Sequence, residues 1–455
     1  MSTNNELNRD LVGEFVNKVI KEKGVPGVSV GILHRGQTLT AGFGVTNMEH
    51  PLPFTDETLF QIGSITKTFT GTAIMRLIEM GKLDLESTVR TYVPDFKVSD
   101  ETASSEATIR HLLTHTGGWE GDVFDDTGSG DDALAKYVTN MAELKQLAPL
   151  GTVFSYCNSG FSLAGYIIEV VTGKSYQAAL KELVLDPLGL ESSYFESGDV
   201  MTHRFVVGHN VTEEGCKVAR PWPLPRSLYP AGGIICDVRD LLRYARFHLG
   251  DGRVNDETRL LSSESMELMQ SPQVTIWRDD SVGIAWMINE IDGVRILSHS
   301  GGTTGQISLL QLIPERDFAM AILTNANRGG LVTLEMSRWA LKHYLELEMP
   351  EPKSIESSEE ELASYTGHYS QPYMDFDLGM LAGKLVGLWK VKGSFPTKDT
   401  PPPPQSPPMS LALCEKDRLL VLDGPTKGLR GEAIRKPDGS IGWLRFGGRI
   451  HVREA

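Results

Sequence analysis

The stretch from residue 62 to residue 81, IGSITKTFTGTAIMRLIEMG, carries the most informative pattern in this chain. Its apolar residues recur every three or four positions and Gly81 follows them, which predicts a half-buried helix from Ser64 to Met80. Ser64 and Lys67 then lie about one turn apart on one helical face. A buried lysine loses its proton more readily and can act as the base for a neighbouring serine. The stretch therefore predicts a nucleophilic serine at the start of a helix.

A second candidate element, FSYCNSG at 154–160, comes directly before the apolar pattern FSLAGYIIEVV. Tyr156 and Asn158 are alternate residues of this loop, so we expect their side chains to point the same way. A tyrosine near a lysine can pass a proton to a leaving group, and an asparagine can hold a substrate carbonyl. The alternative is structural, with the tyrosine packed under the helix and the asparagine capping it.

The third candidate element is LSHSGGT at 297–303, a strand pattern that ends in two glycines. Gly301 and Gly302 allow a substrate to lie against the strand edge, where a backbone N–H can bind a developing oxyanion. His299 precedes them and, taken alone, is equally well explained as a strand residue in a turn.

In this order the three elements, S-x-x-K, Y-x-N and H-x-G, resemble the serine β-lactamase and penicillin-binding protein superfamily in its class C branch. That branch also includes family VIII carboxylesterases and D-aminopeptidases. The resemblance extends over residues 10 to about 345 and is supported by four further runs: HLLTHTGG (111–118), PLGTVFSYCNSGFSLAGYIIE (149–169), YPAGGIICDVRDLLRYA (229–245) and HSGGTTG (299–305).

The resemblance implies a role for each matching residue. Ser64 would be the acylated nucleophile, Lys67 its proton acceptor and Tyr156 the second acid/base. The remaining implied contacts are with the substrate: Asn158 would orient its acyl side, the backbone N–H groups of Ser64 and Gly302 would bind the oxyanion beside Gly301, and His299 would face it. No cofactor and no metal are implied, and HLLTHTGG lacks the glutamate of a zinc H-E-x-x-H site.

One departure from the resemblance bears on the substrate. β-Lactamases have lysine where this chain has His299, so the cation that meets a penicillin carboxylate would be weakened or pH-dependent. We therefore expect a serine hydrolase of a small ester or amide, with an esterase ahead of a D-aminopeptidase or amidase. Acyl transfer at the same site is an alternative, and so is a ligand-binding module without turnover. The acidic run 120–132 is either a solvated loop or a rim that favours amine-bearing substrates.

Strand and helix patterns predict an α/β (α+β) fold. Strand patterns near residues 28–45 and 282–325 flank a mostly helical insertion at about 85–270, so an antiparallel sheet flanked by helices must be assembled from distant segments of a catalytic domain, 1–345. An acidic linker is predicted at 346–361, followed by a small lipocalin-like antiparallel β-barrel, 362–455, that contains the proline-rich loop 396–408. This barrel would cover the cleft and restrict substrate size.

Composition excludes several classes of protein. The 455 residues carry a formal charge of -15, from 44 Lys plus Arg against 59 Asp plus Glu, so nucleic acid is an unfavourable partner. No run of eighteen apolar residues predicts a membrane span. The four cysteines are scattered and the first residues do not form a signal-peptide pattern, so a cytoplasmic location is expected. The expected partner is a small-molecule substrate, and the sequence leaves a homo-oligomer open.

Overall fold

The structure is a computed structural model that describes residues 6–278, 280–397, 405–424 and 426–454. The helices, in chain order, are α1 (Arg9–Lys23), α2 (Thr66–Glu79), α3 (Val89–Tyr92), α4 (Glu101–Glu106), α5 (Ile109–Leu113), α6 (Ala133–Asn140), α7 (Asn158–Thr172), α8 (Tyr176–Leu180), α9 (Ser197–Val200), α10 (Tyr229–Gly232), α11 (Val238–Leu249), α12 (Ser263–Gln270), α13 (Gly329–Leu345) and α14 (Glu359–Ala363). The strands are β1 (Gly27–His34), β2 (Gln37–Gly44), β3 (Phe60–Gln61), β4 (Ser193–Tyr194), β5 (His209–Thr212), β6 (Gly215–Val218), β7 (Ile235–Cys236), β8 (Val274–Trp277), β9 (Asp280–Val282), β10 (Met287–Ile291), β11 (Val294–Thr303), β12 (Gln306–Ile313), β13 (Phe318–Thr324), β14 (Gly367–Ser370), β15 (Met374–Leu381), β16 (Lys384–Val391), β17 (Met409–Glu415), β18 (Arg418–Val421), β19 (Arg430–Arg435), β20 (Ile441–Phe446) and β21 (Arg449–Arg453).

The main sheet joins two distant parts of the chain. Its eight antiparallel strands run in the order β2-β1-β13-β12-β11-β10-β9-β8. The join is made between β1 and β13, which pair from Val28 opposite Thr324 to His34 opposite Phe318. This confirms the predicted antiparallel sheet and its assembly from the two ends of the region. It also places β11, with the H-x-G pattern, inside the sheet.

Helices cover both faces of this sheet. The helices α1 and α13 pack together on one face, and α11 packs on the other against β1, β12 and β13. All eight residues of β1 are buried, as expected for a strand covered on both sides. Val28, Val30 and Ile32 enter the core under α1 and α13, whereas Leu33 belongs to the larger core shared with α2, α7 and α11.

The region predicted as mostly helical from about 85 to 270 also contains short strands. The helices α3 to α12 confirm the main pattern. It is interrupted by β4 and β7, which form a three-stranded sheet with β3 from before this region, and by the hairpin β5-β6. The hairpin pairs Thr212 with Gly215 across a two-residue turn. Its sequence, HNVTEEGCKV, is too polar to show an apolar strand pattern, which is why the helical prediction is wrong at 209–218.

The carboxyl-terminal strands β14 to β21 form a closed antiparallel barrel in chain order. The barrel is closed where Tyr369 of β14 pairs with Arg453 of β21. Apolar side chains fill its interior, including Tyr369, Phe376, Leu385, Leu413 and Leu444. The predicted antiparallel barrel is therefore present, with eight strands, and these side chains form its packed core.

The segment between α13 and α14 connects the catalytic domain with the barrel and lies against the barrel. Ile355 donates its backbone N–H to the carbonyl oxygen of Leu413 on β17, at 2.8 Å. The predicted proline-rich loop falls partly outside the described residues, at 398–404, and residues 405–408 lead into β17. Within the described ranges, no helix is long and apolar enough to cross a bilayer.

Candidate active site

Ser64 and Lys67 meet through local helical geometry. Ser64 lies in a 3-10 turn, Gly63–Ile65, that leads directly into α2. The Nζ atom of Lys67 lies 3.1 Å from Ser64 Oγ and donates to the carbonyl oxygen of Ala231 at 2.6 Å. The Lys67 side chain has no exposed surface. The predicted spacing therefore places the amine against the hydroxyl, away from water.

The protonation of Lys67 depends on this burial. Burial holds the pKa of the Lys67 amine well below its usual range, and the positive charge of Arg449 lowers it further. Asp122 and Cys157 act in the opposite direction but contribute less. The site therefore favours the neutral amine, which is the form that can accept a proton from a hydroxyl.

The ring of Tyr156 lies among three nitrogen-bearing side chains. Lys67 Nζ lies 4.9 Å from the ring centroid and the guanidinium carbon of Arg449 lies 4.5 Å from it. His115 stacks on the ring with a centroid separation of 4.4 Å. Burial raises the pKa of the Tyr156 phenol, opposed by Arg449 and by a hydrogen bond with Ser64. Tyr156 is therefore a neutral phenol in contact with the serine hydroxyl.

Asn158 is the first residue of α7, and a carboxylate holds its side chain. Its Nδ2 donates to Asp122 Oδ1 at 2.7 Å. Asp122 also accepts from Arg449, with Nε 3.1 Å from Oδ2 and Nη2 3.3 Å from Oδ1. The cap of α7 is supplied instead by Cys157, whose Sγ accepts from the backbone N–H of Gly160. Asn158 therefore belongs to a chain of polar contacts beside Tyr156.

The glycines of β11 allow this strand to lie against the turn that carries Ser64. Gly63 has φ of +53°, and a Cβ there would lie 2.7 Å from the backbone nitrogen of Gly302. A Cβ on Gly301 would clash with the carbonyl oxygen of Ile62. Ser308 of β12 donates to the same carbonyl oxygen at 2.8 Å, which fixes the contact. Both glycine positions are thus required by close backbone approach.

His299 faces the site as a neutral ring. Its Nδ1 lies 2.7 Å from the carbonyl oxygen of Ser300, so this nitrogen carries the proton and donates it. Burial, with the charges of Lys67 and Arg449, lowers the pKa of the ring to about 3. The sequence predicted a weakened or pH-dependent cation at this position, and burial weakens it so far that the ring is neutral at ordinary pH. Its Nε2 is a buried acceptor with no hydrogen-bond partner among the described residues.

The predicted site residues converge on one cavity of about 980 Å³. Its wall includes six of the seven residues chosen from the sequence, namely Ser64, Tyr156, Asn158, His299, Gly301 and Gly302. Lys67 lies behind Ser64, out of reach of solvent. Strands of the main sheet contribute the largest share of the cavity wall. The helical region adds apolar residues such as Phe124 and Leu228, and the cavity extends to the barrel. The barrel contributes Leu429, Arg430, Glu432, Arg445, Gly447, Gly448 and Arg449.

Four residues of the site have roles that no sequence pattern indicates. Ala231 lies in the run YPAGG, but its role is played by a backbone carbonyl, which leaves no side-chain signal. His115 belongs to the run HLLTHTGG, whose pattern indicates either half of a zinc site or a structural feature of the resembled family, and not a ring stacked on Tyr156. Arg449 lies in the barrel run GGRIHV and has no pattern that connects it with the serine. Asp122 was seen only as one member of the acidic run, and its pairing with Arg449 leaves it without a free charge for an amine.

The two histidines of HLLTHTGG have different structural roles. His111 Nδ1 lies 3.0 Å from the backbone nitrogen of Thr108, as part of the cap of α5. His115 Nδ1 accepts from the backbone N–H of Cys157 at 2.9 Å. In the described part of the chain, no group of three or more His, Cys, Asp or Glu residues is arranged to hold a metal ion.

Comparison with known proteins finds relatives in sequence and in structure. Penicillin-binding protein 4 of Amycolatopsis lactamdurans is 35% identical over 346 residues, which are 72% of this chain and 88% of that protein. The solved structure of SurE matches 98% of this chain and 99% of its own, with a TM-score of 0.79 and 23% identity, and SurE has also been solved with D-Leu. A class C β-lactamase structure from Rhodobacter sphaeroides matches 73% of this chain and 99% of its own, with a TM-score of 0.61 and 24% identity.

The two structural likenesses differ in extent. The likeness to SurE covers 98% of this chain and so includes the barrel. The class C β-lactamase matches only 73% of this chain, although nearly all of its own length is matched. At these identities the likenesses show the fold. The sequence model of the Beta-lactamase family matches residues 9–343, and this chain belongs to that family.

Proposed function

We propose that this protein cleaves a small ester or amide through an acyl-enzyme on Ser64. Membership of the family supports a serine hydrolase type of function. The observation that carries the proposal is the contact of 3.1 Å between Ser64 Oγ and the fully buried amine of Lys67. A structural lysine has no need of a pKa held well below its usual range beside a hydroxyl that lines a cavity.

In the acylation step, Ser64 Oγ attacks the carbonyl carbon of the substrate and its proton passes to the neutral amine of Lys67. The developing oxyanion is stabilised by the backbone N–H groups of Ser64 and Gly302. Tyr156, which is hydrogen-bonded with Ser64, gives its proton to the leaving alcohol or amine as the carbonyl–leaving-group bond breaks, and the proton on Lys67 restores the phenol. The products are the Ser64 ester and the protonated leaving group.

Deacylation reverses the same set of transfers with water as the nucleophile. Lys67, assisted by Tyr156, takes a proton from the water as its oxygen attacks the ester carbonyl, and Ser64 recovers the proton as it leaves. Asn158 is held by Asp122 with its amide at the cavity wall, where it orients the acyl chain.

Amide chemistry, on a D-amino acid derivative or by transfer to an amine, is the second candidate. It is favoured by the unpartnered Nε2 of His299, a buried acceptor that suits an N–H group and repels a carboxylate. The same feature argues against a β-lactam substrate, whose carboxylate would meet a neutral ring. SurE, which shares the whole-chain fold, was solved with D-Leu, so D-amino acid amides belong in the substrate panel.

The test is intact-protein mass after brief mixing with p-nitrophenyl esters, D- and L-amino-acid anilides and a cephalosporin. We expect a mass gain with chromophore release in the wild type and none in Ser64→Ala. Ser300→Ala is the matched control, because this serine lines the same cavity on β11 and should leave the adduct in place. Peptide mapping should locate the adduct on Ser64.

The remaining outcomes separate the alternatives. Tyr156→Phe should lower turnover of the anilides more than that of the p-nitrophenyl esters, because an amine must be protonated to leave and p-nitrophenolate need not be. Coupled product with added amines would show acyl transfer. Tight binding with neither adduct nor turnover across the panel would overturn the proposal in favour of a binding module.

A further inference from the structure

A turn of the barrel reaches the loop that carries Tyr156. The turn between β20 and β21 is Gly447–Gly448, with φ values of +54° and +79°, which suit a tight two-residue hairpin. The backbone N–H of Tyr156 donates to the carbonyl oxygen of Gly448 at 2.8 Å. The backbone N–H of Ile450 donates to Ser155 Oγ at 3.3 Å. Two adjacent residues of the loop are therefore bonded to the tip of one barrel hairpin.

The same hairpin is anchored to this loop at three more points. Arg445 Nη1 donates to the carbonyl oxygen of Phe154 at 3.3 Å, and its Nε pairs with Glu432 at 3.1 Å. Trp443 Nε1 donates to the carbonyl oxygen of Leu147 at 2.8 Å. A Cβ on Gly448 would lie 3.6 Å from Cβ of Tyr156, so the turn also packs against this side chain. The barrel hairpin thus contacts the chain at both ends of the segment from Leu147 to Tyr156.

Arg449, the first residue after the turn, contacts the ring itself. Its guanidinium carbon lies 4.5 Å from the centroid of the Tyr156 ring. Its charge is paired with Asp122, which in turn holds Asn158. A cation over an aromatic face is stabilising, most of all where water is excluded. One barrel residue therefore contacts, directly or through Asp122, both Tyr156 and Asn158.

We propose that the β20–β21 hairpin is a working part of the catalytic site: it fixes the backbone of Tyr156 and sets the charge of Arg449, balanced by Asp122, against the proton-transferring pair Lys67 and Tyr156. This proposal rests on the proposed function. Arg449 acts as a positioning residue, because it reaches the reacting atoms through Tyr156 and Lys67. The barrel is then a component of catalysis as well as a wall of the cavity.

The sign of the electrostatic effect follows from the groups around the pair. Those that face Lys67 or Tyr156 are Ser64 before α2, His115 after α5, Asp122 and Cys157 before α7, His299 on β11, and Arg449 on β21. Arg449 lowers the pKa of both Lys67 and Tyr156, whereas Asp122 raises both. Removing Arg449 should therefore raise the pKa of Lys67, and removing Asp122 should lower it.

The experiment measures kcat and kcat/KM from pH 5 to 10 with a p-nitrophenyl ester, for Arg449→Met, Asp122→Asn and the double variant. Arg449→Met should lower kcat about 10- to 100-fold. It should move the acid limb of the profile to higher pH by about one pH unit, because Lys67 is then protonated more easily. Asp122→Asn should move the limb to lower pH, and the double variant should lie between them. Acid limbs that stay in place in both single variants would overturn the proposal.

Two further variants separate positioning from folding. Arg449→Lys keeps the charge and loses the two-point contact with Asp122, so its acid limb should stay near that of the wild type with a smaller loss of kcat. Arg453→Met is the matched control, because Arg453 lies on the same strand and over the ring of Tyr369, with a guanidinium-to-centroid distance of 5.8 Å inside the barrel. Its profile and kcat should match the wild type. An equal loss in both Arg→Met variants would show a structural effect only.

A readout that needs no turnover completes the test. With 3-fluorotyrosine in place of Tyr156 in the full chain, the ¹⁹F resonance should move in Arg449→Met and remain unchanged in Arg453→Met. If the wild type forms no acyl adduct, the proposed function fails while this resonance still decides the contact of Arg449 with the ring. If the adduct forms but the ¹⁹F resonance is the same in Arg449→Met as in the wild type, only the proposal about the hairpin is overturned.

Discussion

The two halves of the site are assembled in different ways. Ser64 and Lys67 belong to one stretch of chain, three positions apart, and their contact follows from helical geometry. Asp122 and Arg449 lie 327 positions apart, and their ion pair exists only because the barrel is seated against the helical region. The comparison shows that the proposed nucleophile and its base are a local feature, whereas the surroundings of Tyr156 are a product of tertiary structure.

The two halves also treat positive charge differently. Lys67 is fully buried with carbonyl and hydroxyl oxygens as its contacts, and burial lowers the pKa of its amine. Arg449 keeps a third of its side chain exposed and is paired with Asp122. Burial lowers the pKa of Arg449, but Asp122 outweighs this effect. The site therefore combines one cation that is neutralised by desolvation with one that is retained by an ion pair.

The largest expected effect comes from removing the local contact between Ser64 and Lys67. In Lys67→Met, kcat/KM for a p-nitrophenyl ester should fall about 10³- to 10⁴-fold, the upper range for loss of a general base. The thermal midpoint should rise, because methionine fills the same space without a buried amine. The lowered pKa of Lys67 means that folding disfavours its proton, so the gain should be largest at low pH and shrink as pH approaches 10.5. A lower midpoint at neutral pH would contradict this interpretation.

The next largest effect concerns the half of the site that depends on the barrel, and it is an effect on stability. Arg445 has only 4% of its side chain exposed and pairs with Glu432, so Arg445→Met leaves this buried carboxylate with the more distant Arg418, at 3.7 Å, as its remaining ion-pair partner among the described residues. We expect the free energy of unfolding in urea to fall by about 3–5 kcal/mol. Burial already raises the pKa of Glu432, and without the arginine it should rise further, so the loss should diminish as pH falls and Glu432 takes up a proton. In Arg445→Met/Glu432→Gln, much of the stability should return.

A smaller change tests one anchor of the same hairpin. Trp443→Phe removes the hydrogen bond to the carbonyl oxygen of Leu147 and preserves the aromatic packing. The free energy of unfolding should fall by about 1 kcal/mol, since a neutral hydrogen bond contributes that much. Urea unfolding followed by fluorescence measures the change. A loss as large as that in Arg445→Met would show that this anchor, rather than the buried ion pair, holds the barrel in place.

The smallest expected effect concerns pH. Because the pKa of His299 is about 3, its ring stays neutral across the range in which the enzyme is assayed. His299→Gln should therefore leave the acid limb of kcat/KM in place between pH 5 and 9, even where the rate itself falls. A limb that moves with this substitution would assign the titration to His299 instead of Lys67.

Patterns of residues were sufficient wherever the structure depends on neighbours in the chain. The spacing of Ser64 and Lys67, the strand patterns near residues 28–45 and 282–325 and the barrel predicted at 362–455 all correspond to observed elements. The polar hairpin β5-β6 escaped prediction because its strands bury little apolar surface. The neutral state of His299 depends on burial, which no residue type reveals by itself.

The sequence by itself determined the antiparallel sheet, the helix that pairs Ser64 with Lys67, and the barrel, because periodicity and turn residues act over a few positions. Only the tertiary structure decided that Ala231 binds Lys67, that Asp122 is matched by Arg449, and that the barrel hairpin holds Tyr156. These contacts depend on backbone carbonyls and on single charges from remote segments. Desolvation and ion pairing at such positions are set by what packs around them, so they exist only once the chain has folded.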